Sequence, residues 1–383
     1  MKNQFNDREL SESTAIVARS TQPLSVLSLC ETANGGVGRY QENLIALSAF
    51  GISTFVLLPE SDRGIIGDNC NLFFYSRSGR NIPSLIRFVF AFLKQRGSLR
   101  PDVYFFNSTF SLIPLFILRL LRDRTPAIYC AHCWAVAAVN PASWRGRIIR
   151  TVEGRLSGLA DLVVNVSEGE AAIARRFSYR GDHVVVAQAV HPPVSDARKN
   201  LFIRQNKTDV HLLFVGRFDR QKGLDILLSA FVRARASNKN LHLHLVGGAV
   251  RGGDIPELTD GVVNHGWAKR HEVDGFYRSA DAVIVPSRWE GMPLVVLEAM
   301  RNGTPVFAST GCGMGDFLSR HGCGLEFDGS RETLVNVLAG LNAADLAEMR
   351  SRTFETFEQH FSLGRFTKEM AGYIRHLTKG GKK

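Results

Sequence analysis

Two cations five residues apart mark the run Leu213-Phe214-Val215-Gly216-Arg217-Phe218-Asp219-Arg220-Gln221-Lys222-Gly223-Leu224. Arg217 is expected just past a strand end and Lys222 where the next helix begins. Two cations and a helix N-terminus form a clamp for a diphosphate. This is not a Walker loop, because G-x-x-x-x-G-K needs glycine where Gln221 stands. The plain alternative is a pair of solvated bases flanking a turn. Downstream, Glu290 and Glu298 stand with seven residues between them, the first in a strand-to-helix loop and the second in the helix. The segment 294–300 is apolar except for Glu298, and an ionised carboxylate there is costly unless something pairs with it. Such a carboxylate either joins two elements as an ion pair or accepts hydrogen bonds from sugar hydroxyls.

A second glycine-rich turn, Asn34-Gly35-Gly36-Val37-Gly38-Arg39-Tyr40, follows the first expected strand and opens a helix. Glycine lets the backbone approach a ligand there, and the helix N-terminus favours an anion. With Glu60 after the next strand, the turn invites a nicotinamide-dinucleotide reading. Counted from Gly36, however, the third glycine of G-x-G-x-x-G/A falls on Gln41, which disfavours a dehydrogenase. A plain tight turn is the alternative. Cys130 and Cys133 form a C-x-x-C with possible redox or metal chemistry, but no second pair lies nearby. Cys312 and Cys323, with His321, carry less still.

These residues need elements to position them. Short apolar runs at 24–29, 53–58, 103–106, 127–131, 162–166 and 183–187 alternate with helical patterns. A polar, proline-containing stretch, 193–207, reads as a linker, and a second series has runs at 210–215, 241–246, 261–265, 282–285 and 305–308. Strands alternating with helices give parallel sheets covered on both faces. The expected architecture is α/β, two doubly wound Rossmann-like domains facing across a cleft, with ligands beyond the carboxyl ends of the strands. The domains are expected at 23–192 and 208–352, after a loose tail over 1–22. The helical C-terminus, 353–383, is expected to cross back onto the first domain.

Length and composition agree. At about 150 residues per domain, 383 residues suggest two. A hydrophobic content of 45% with 22% charged residues excludes wholesale disorder and collagen-like repeats. Six cysteines in such a chain do not make a disulfide scaffold. The polar N-terminus lacks a signal-peptide core, so cytoplasmic residence is expected. No run of about 18 apolar residues predicts a membrane-spanning helix.

Together, the segments GGVGRY, VGRFDRQKGLDILLSAF and PSRWEGMPLVVLEAMRNGTPV resemble the GT-B-fold retaining glycosyltransferases of family 4, and the resemblance runs from about Leu24 onward. It implies that Arg217 and Lys222 bind the donor diphosphate, that Glu290 lies near the donor sugar and that Glu298 binds the nucleotide ribose. It further implies that the loop Gly291, Met292, Pro293 and Leu294 faces sugar and phosphates, and that Gly35 and Gly36 approach the donor from the other domain. His132, after an N-domain strand, matches a histidine often near the donor sugar; the plain alternative is a satisfied core histidine. The family's Pro-Glu is missing after 305–308, where Asp316 is the available substitute. The implied reaction needs no metal or other cofactor.

The formal charge is +11, and between Asp68 and Asp102 six bases occur without an acid. With the apolar helix 82–93 and the segment Trp144–Arg155, this suggests docking on an anionic membrane surface. Nucleic acid is not expected, since no recognised binding motif accompanies the charge. The function read from the sequence is transfer of a hexosyl unit from a GDP- or UDP-sugar to a lipid-linked oligosaccharide or surface-polysaccharide acceptor. The expected location is peripheral, on the cytoplasmic face of the inner membrane. A nucleotide-sugar epimerase on the same fold, or a non-catalytic sugar-nucleotide-binding protein, is the alternative.

Overall fold

A computed structural model describes residues 23–67, 71–193, 201–249 and 257–380. The expected tail over 1–22 and residues 194–200 of the expected linker lie outside the described residues. Chain contacts divide the protein into two compact units. Unit 1 holds the described residues up to Val166, Ala171–Val186 and the last helix from Gly364; unit 2 holds Ser167–Glu170 and Ala187–Leu363.

The sheet of unit 1 is entirely parallel, in the order β3-β2-β1-β4-β5-β6-β7. Its strands are β1 (Leu24–Cys30), β2 (Ile52–Pro59), β3 (Asn71–Tyr75), β4 (Val103–Asn107), β5 (Ala127–Cys130), β6 (Leu162–Asn165) and β7 (His183–Val185). The helices are α1 (Gly36–Ile45), α2 (Ile82–Leu99), α3 (Leu112–Leu120), α4 (Trp144–Leu156) and α5 (Glu168–Arg176). Alternation along the strands sends β1 side chains to two cores. Leu27 and Leu29 join Phe88, Phe92 and Phe106 beneath α2 and α3, whereas Cys30 joins Val56 and Leu58 on the opposite face. Helices on both faces explain why these strands read as continuous apolar runs.

Unit 2 repeats the plan with the parallel order β10-β9-β8-β11-β12-β13. Its strands are β8 (Val210–Phe218), β9 (Leu241–Ala249), β10 (Val262–Asn264), β11 (Ala282–Val285), β12 (Val306–Ser309) and β13 (Gly324–Phe327). The helices are α6 (Leu224–Ser237), α7 (Arg270–Ser279), α8 (Leu294–Arg301), α9 (Gly315–Arg320), α10 (Arg331–Ala339) and α11 (Ala343–Phe361), and α12 (Leu363–Gly380) closes the chain. The unit also contains a histidine ladder. His211 Nδ1 lies 2.9 Å from His244 Nε2, and His244 Nδ1 lies 3.0 Å from His265 Nε2, with Phe202 stacked on His244.

Three expectations change. Strands β3 and β13, both at sheet edges, were not expected from the sequence. β8 continues to Phe218, so Arg217 projects from the strand and not from beyond it. The helical C-terminus is two helices, because Ser362 is extended and bridges Val190.

Candidate functional site

In a doubly wound sheet, ligands collect where the strand order reverses, because loops from the two strands there diverge and leave a crevice. In unit 2 the reversal lies between β8 and β11. The loop after β8 carries Lys222 and the loop after β11 carries Glu290. Lys222 Nζ stands 2.6 Å from Glu290 Oε1, with both side chains mostly buried. Local folding fixes the contact. Gly223 caps α6 at φ 70°, where a Cβ would collide with Pro286 O. The stem of Lys222 lies against Gly216, and Arg288 N donates to Gln221 O. Arg217 is more exposed; its guanidinium meets Asp219 and Gln221, each at 3.1 Å.

The loop Gly291-Met292-Pro293 leads into α8, which starts at Leu294 and has Pro293 as its N-cap. Gly291 O accepts from Ser167 Oγ at 2.9 Å. Glu298, one turn into α8 and half-buried, accepts a hydrogen bond from Tyr277 Oη at 3.0 Å. Burial, followed by the Glu298 charge, drives the Tyr277 phenol well above its ordinary pKa, so it stays a donor. The structure thus brings Lys222 and Glu290 together and gives Glu298 a neutral partner.

The corresponding reversal in unit 1 lies between β1 and β4. Gly35, at φ 73°, is the N-cap of α1, and Gly36 is its first residue. The turn is held by Asp62, buried, whose carboxylate accepts from Ala33 N at 2.7 Å and from Thr32 and Asn34. Glu60 instead pairs with Arg63 in solvent. His132 follows β5 with φ 60°, an uncommon conformation for a non-glycine residue. Asn107, at the end of β4, spends its amide N–H groups on Ser28 Oγ and Leu29 O. Its Oδ1 therefore accepts from His132 Nε2 at 2.8 Å, which leaves Nδ1 as the imidazole acceptor. Desolvation pushes the His132 pKa down to about 3, so the ring is neutral at pH 7. Sequence reasoning missed Asn107, Asp62 and Tyr277, which act through space and carry no motif.

Residues 209–343 match the family model described as Glycosyl transferases group 1, and residues 35–188 match that of a glycosyl transferase 4-like domain. The chain belongs to the group 1 glycosyltransferases of GT-B fold. A Klebsiella pneumoniae relative, an uncharacterised 41.2 kDa protein in a cps region, is 29% identical across 82% of the glycosyltransferase and 86% of its own length. Two solved structures share the fold. Sucrose-phosphate synthase from Thermosynechococcus elongatus has TM-score 0.76 and 22% identity, covering 93% of this chain and 100% of that one. HepE from Anabaena, in complex with UDP and glucose, has TM-score 0.71 and 15% identity, covering 92% and 100%.

Other residues of the glycosyltransferase fall outside these clusters. Asp316 pairs with Arg320 on the exposed side of α9. Among the described residues none of Cys130, Cys133, Cys312 and Cys323 forms a disulfide, and no three His, Cys, Asp or Glu side chains converge as a metal-ligand set. Trp267, exposed, lies in the loop after β10. Its indole lies so close to Gly248, at the end of β9, that a Cβ there would come within 2.6 Å of Nε1.

Proposed function

We propose that this glycosyltransferase moves a hexosyl unit, with retention at the anomeric carbon, from a GDP- or UDP-sugar to a lipid-linked oligosaccharide or surface-polysaccharide acceptor. The proposed location is the cytoplasmic face of the inner membrane. The observation that carries the donor assignment is the Lys222–Glu290 pair at the strand reversal of unit 2. An ammonium and a carboxylate meeting in a loop crevice form a site that a ligand can open. A diphosphate takes the ammonium, and the released carboxylate accepts from a sugar hydroxyl.

Arg217 and Lys222 then meet the charge that develops on the departing diphosphate, aided by the N-terminus of α8 behind Gly291, Met292, Pro293 and Leu294. Glu298, oriented by Tyr277, holds the ribose. Gly35 and Gly36 are proposed donor contacts through their backbone. His132, neutral, with its ring nitrogens on Asn107 and Cys130, is proposed to act near the donor sugar. The proposed transfer uses these groups and no metal or other cofactor. The UDP and glucose held by HepE accord with a nucleotide-sugar donor.

Thermal unfolding with UDP, GDP, ADP and NAD in parallel tests the donor site. A ligand at about a hundred times its Kd adds about 2.7 kcal/mol of stability. A shift with UDP or GDP that disappears in Lys222→Ala supports the proposal, and a shift with NAD alone overturns it. Product analysis follows: donor sugar converted without any acceptor assigns an epimerase, and binding without turnover assigns a non-catalytic protein.

A further inference from the structure

Three neighbouring helices of unit 1 turn the same kind of surface to solvent. On α2, Ile82 is 73% exposed and Phe90 67%, with Ile86 between them. On α3, Leu120 is 71% exposed and Phe116, one turn earlier, is also exposed. On α4, Trp144 is 68% exposed and is followed at four-residue steps by Ile148 and Val152. Each set repeats at helical spacing, so each forms one outward stripe. Beneath them the same helices bury Phe88 and Phe92, Leu115 and Leu118, and Gly146 and Gly154. The stripes are thus additional to the core-facing sides. α3 lies beside both neighbours: Arg96 at the end of α2 pairs with Asp123 just beyond α3, and Thr109 just before α3 donates to Glu153 of α4.

Charge on this face has one sign. Arg87 and Lys94 on α2, and Arg145, Arg147 and Arg155 on α4, are exposed. α2 and α3 contain no acidic residue, and the one acid of α4, Glu153, is buried. Large exposed apolar patches mark binding surfaces. A second copy of the chain is a poor occupant, because a two-fold contact would set these arginines against themselves. Aromatic and aliphatic side chains interleaved with arginine suit the interface of an anionic bilayer, where the apolar groups enter the acyl boundary and the guanidinium groups remain at the phosphates.

We propose that the outer face of α2, α3 and α4 docks this protein on an anionic lipid surface. This deepens the proposed function and rests on it only for the purpose of docking, which is to bring the site to a lipid-linked acceptor.

The test is flotation of the full chain with vesicles of phosphatidylcholine alone and of phosphatidylcholine mixed with phosphatidylglycerol, without donor or acceptor. Binding is expected only with the anionic lipid. At about 1 kcal/mol per base near such a surface, the variant Arg145→Glu/Arg147→Glu/Arg155→Glu is expected to bind at least about a hundredfold more weakly. The variant Phe90→Ser/Leu120→Ser/Trp144→Ser is expected to lose vesicle binding while keeping its unfolding midpoint and its shift with nucleoside diphosphate. Equal binding to both vesicle types, no binding to either, or binding unchanged in both variants overturns the proposal. So does a lipid-free dimer that the apolar variant converts to monomer, which assigns the face to a second copy. In a separate assay with donor, vesicle binding without transfer to a lipid-linked acceptor leaves the docking face standing and removes that acceptor; such transfer without vesicle binding does the reverse.

Discussion

Unit 1 and unit 2 repeat one plan of parallel strands and covering helices, yet they distribute charge in opposite ways. At the strand reversal of unit 1 the turn is pinned by an acid, Asp62, and the nearest ring, His132, is neutral. At that of unit 2 the end of β8 carries Arg217 and the loop after it carries Lys222. Outside, the pattern inverts. α2, α3 and α4 expose apolar groups and bases, whereas α11 exposes Asp345, Glu348, Glu355 and Glu358, and α6 and α10 are joined by the solvent pair Arg233–Glu332. The fold imposes neither distribution. Unit 2 carries paired bases at its strand reversal, the diphosphate site proposed above, and unit 1 carries the outer face proposed to meet a bilayer.

The sharpest way to break this comparison is Lys222→Ala. Loss of one preorganised donor to a developing oxyanion costs about 2.7–4 kcal/mol, so kcat/KM should fall by about 10²–10³ while the unfolding midpoint stays near that of the parent. A variant that unfolds instead identifies the Lys222–Glu290 pair as a structural brace.

The two glycine turns give the next largest contrast. Gly223 and Gly35 both have positive φ, but a Cβ on Gly223 would meet Pro286 O, whereas one on Gly35 meets open space. Gly223→Ala should cost about 3 kcal/mol or more in urea unfolding, from left-handed backbone strain and overpacking together, and Gly35→Ala about 1–3 kcal/mol from backbone strain alone. Equal losses would show that the unit 1 turn is as tightly enclosed as that of unit 2.

Trp267→Ala should weaken nucleoside diphosphate binding by about 1–2 kcal/mol, roughly tenfold, if its exposed indole stacks on the base. Calorimetric titration reads this, and an unchanged Kd places the base elsewhere.

Acid tests the histidine ladder of unit 2. Burial pushes His211 down to about 4 and His244 to about 3, and lowers His265, with Arg204, His242, Asp209 and Asp281 facing His211. The unfolded chain takes up these protons first. This part of the stability is therefore present above about pH 6.5 and is lost as pH falls toward 4. The thermal midpoint should drop over that interval, and His244→Phe should drop less. A flat midpoint would show that the ladder is already charged when folded.

What could be read from the sequence follows from which interactions are local. Arg217, Lys222, Glu290 and Glu298 stood out because strand, loop and helix succeed one another within a few residues. The pairing of Lys222 with Glu290 was not legible, since it joins loops 68 residues apart, brought together only by the strand order. Asn107 as the orienter of His132 and Asp62 as the pin of the glycine turn were hidden for the same reason. The edge strands β3 and β13 escaped because half-buried edges lack the long apolar run of a central strand: β13 exposes both of its middle residues, Leu325 and Glu326. Arg217 was set too late because β8 remains paired with β9 as far as Ala249.

α12 returns the end of the chain to unit 1, where Phe366, Met370 and Ile374 are fully buried, Phe366 meets the ring of Tyr40, and Arg375 donates to Phe50 O. During synthesis, then, the half that is made first cannot be finished first. Unit 2 has all its strands and α11 before α12 leaves the ribosome, while unit 1 waits with the Tyr40 side of its sheet uncovered. A nascent chain stalled before Gly364 therefore has every described element of the second half and lacks one helix of the first. That is the species in which a chaperone would find apolar surface to hold.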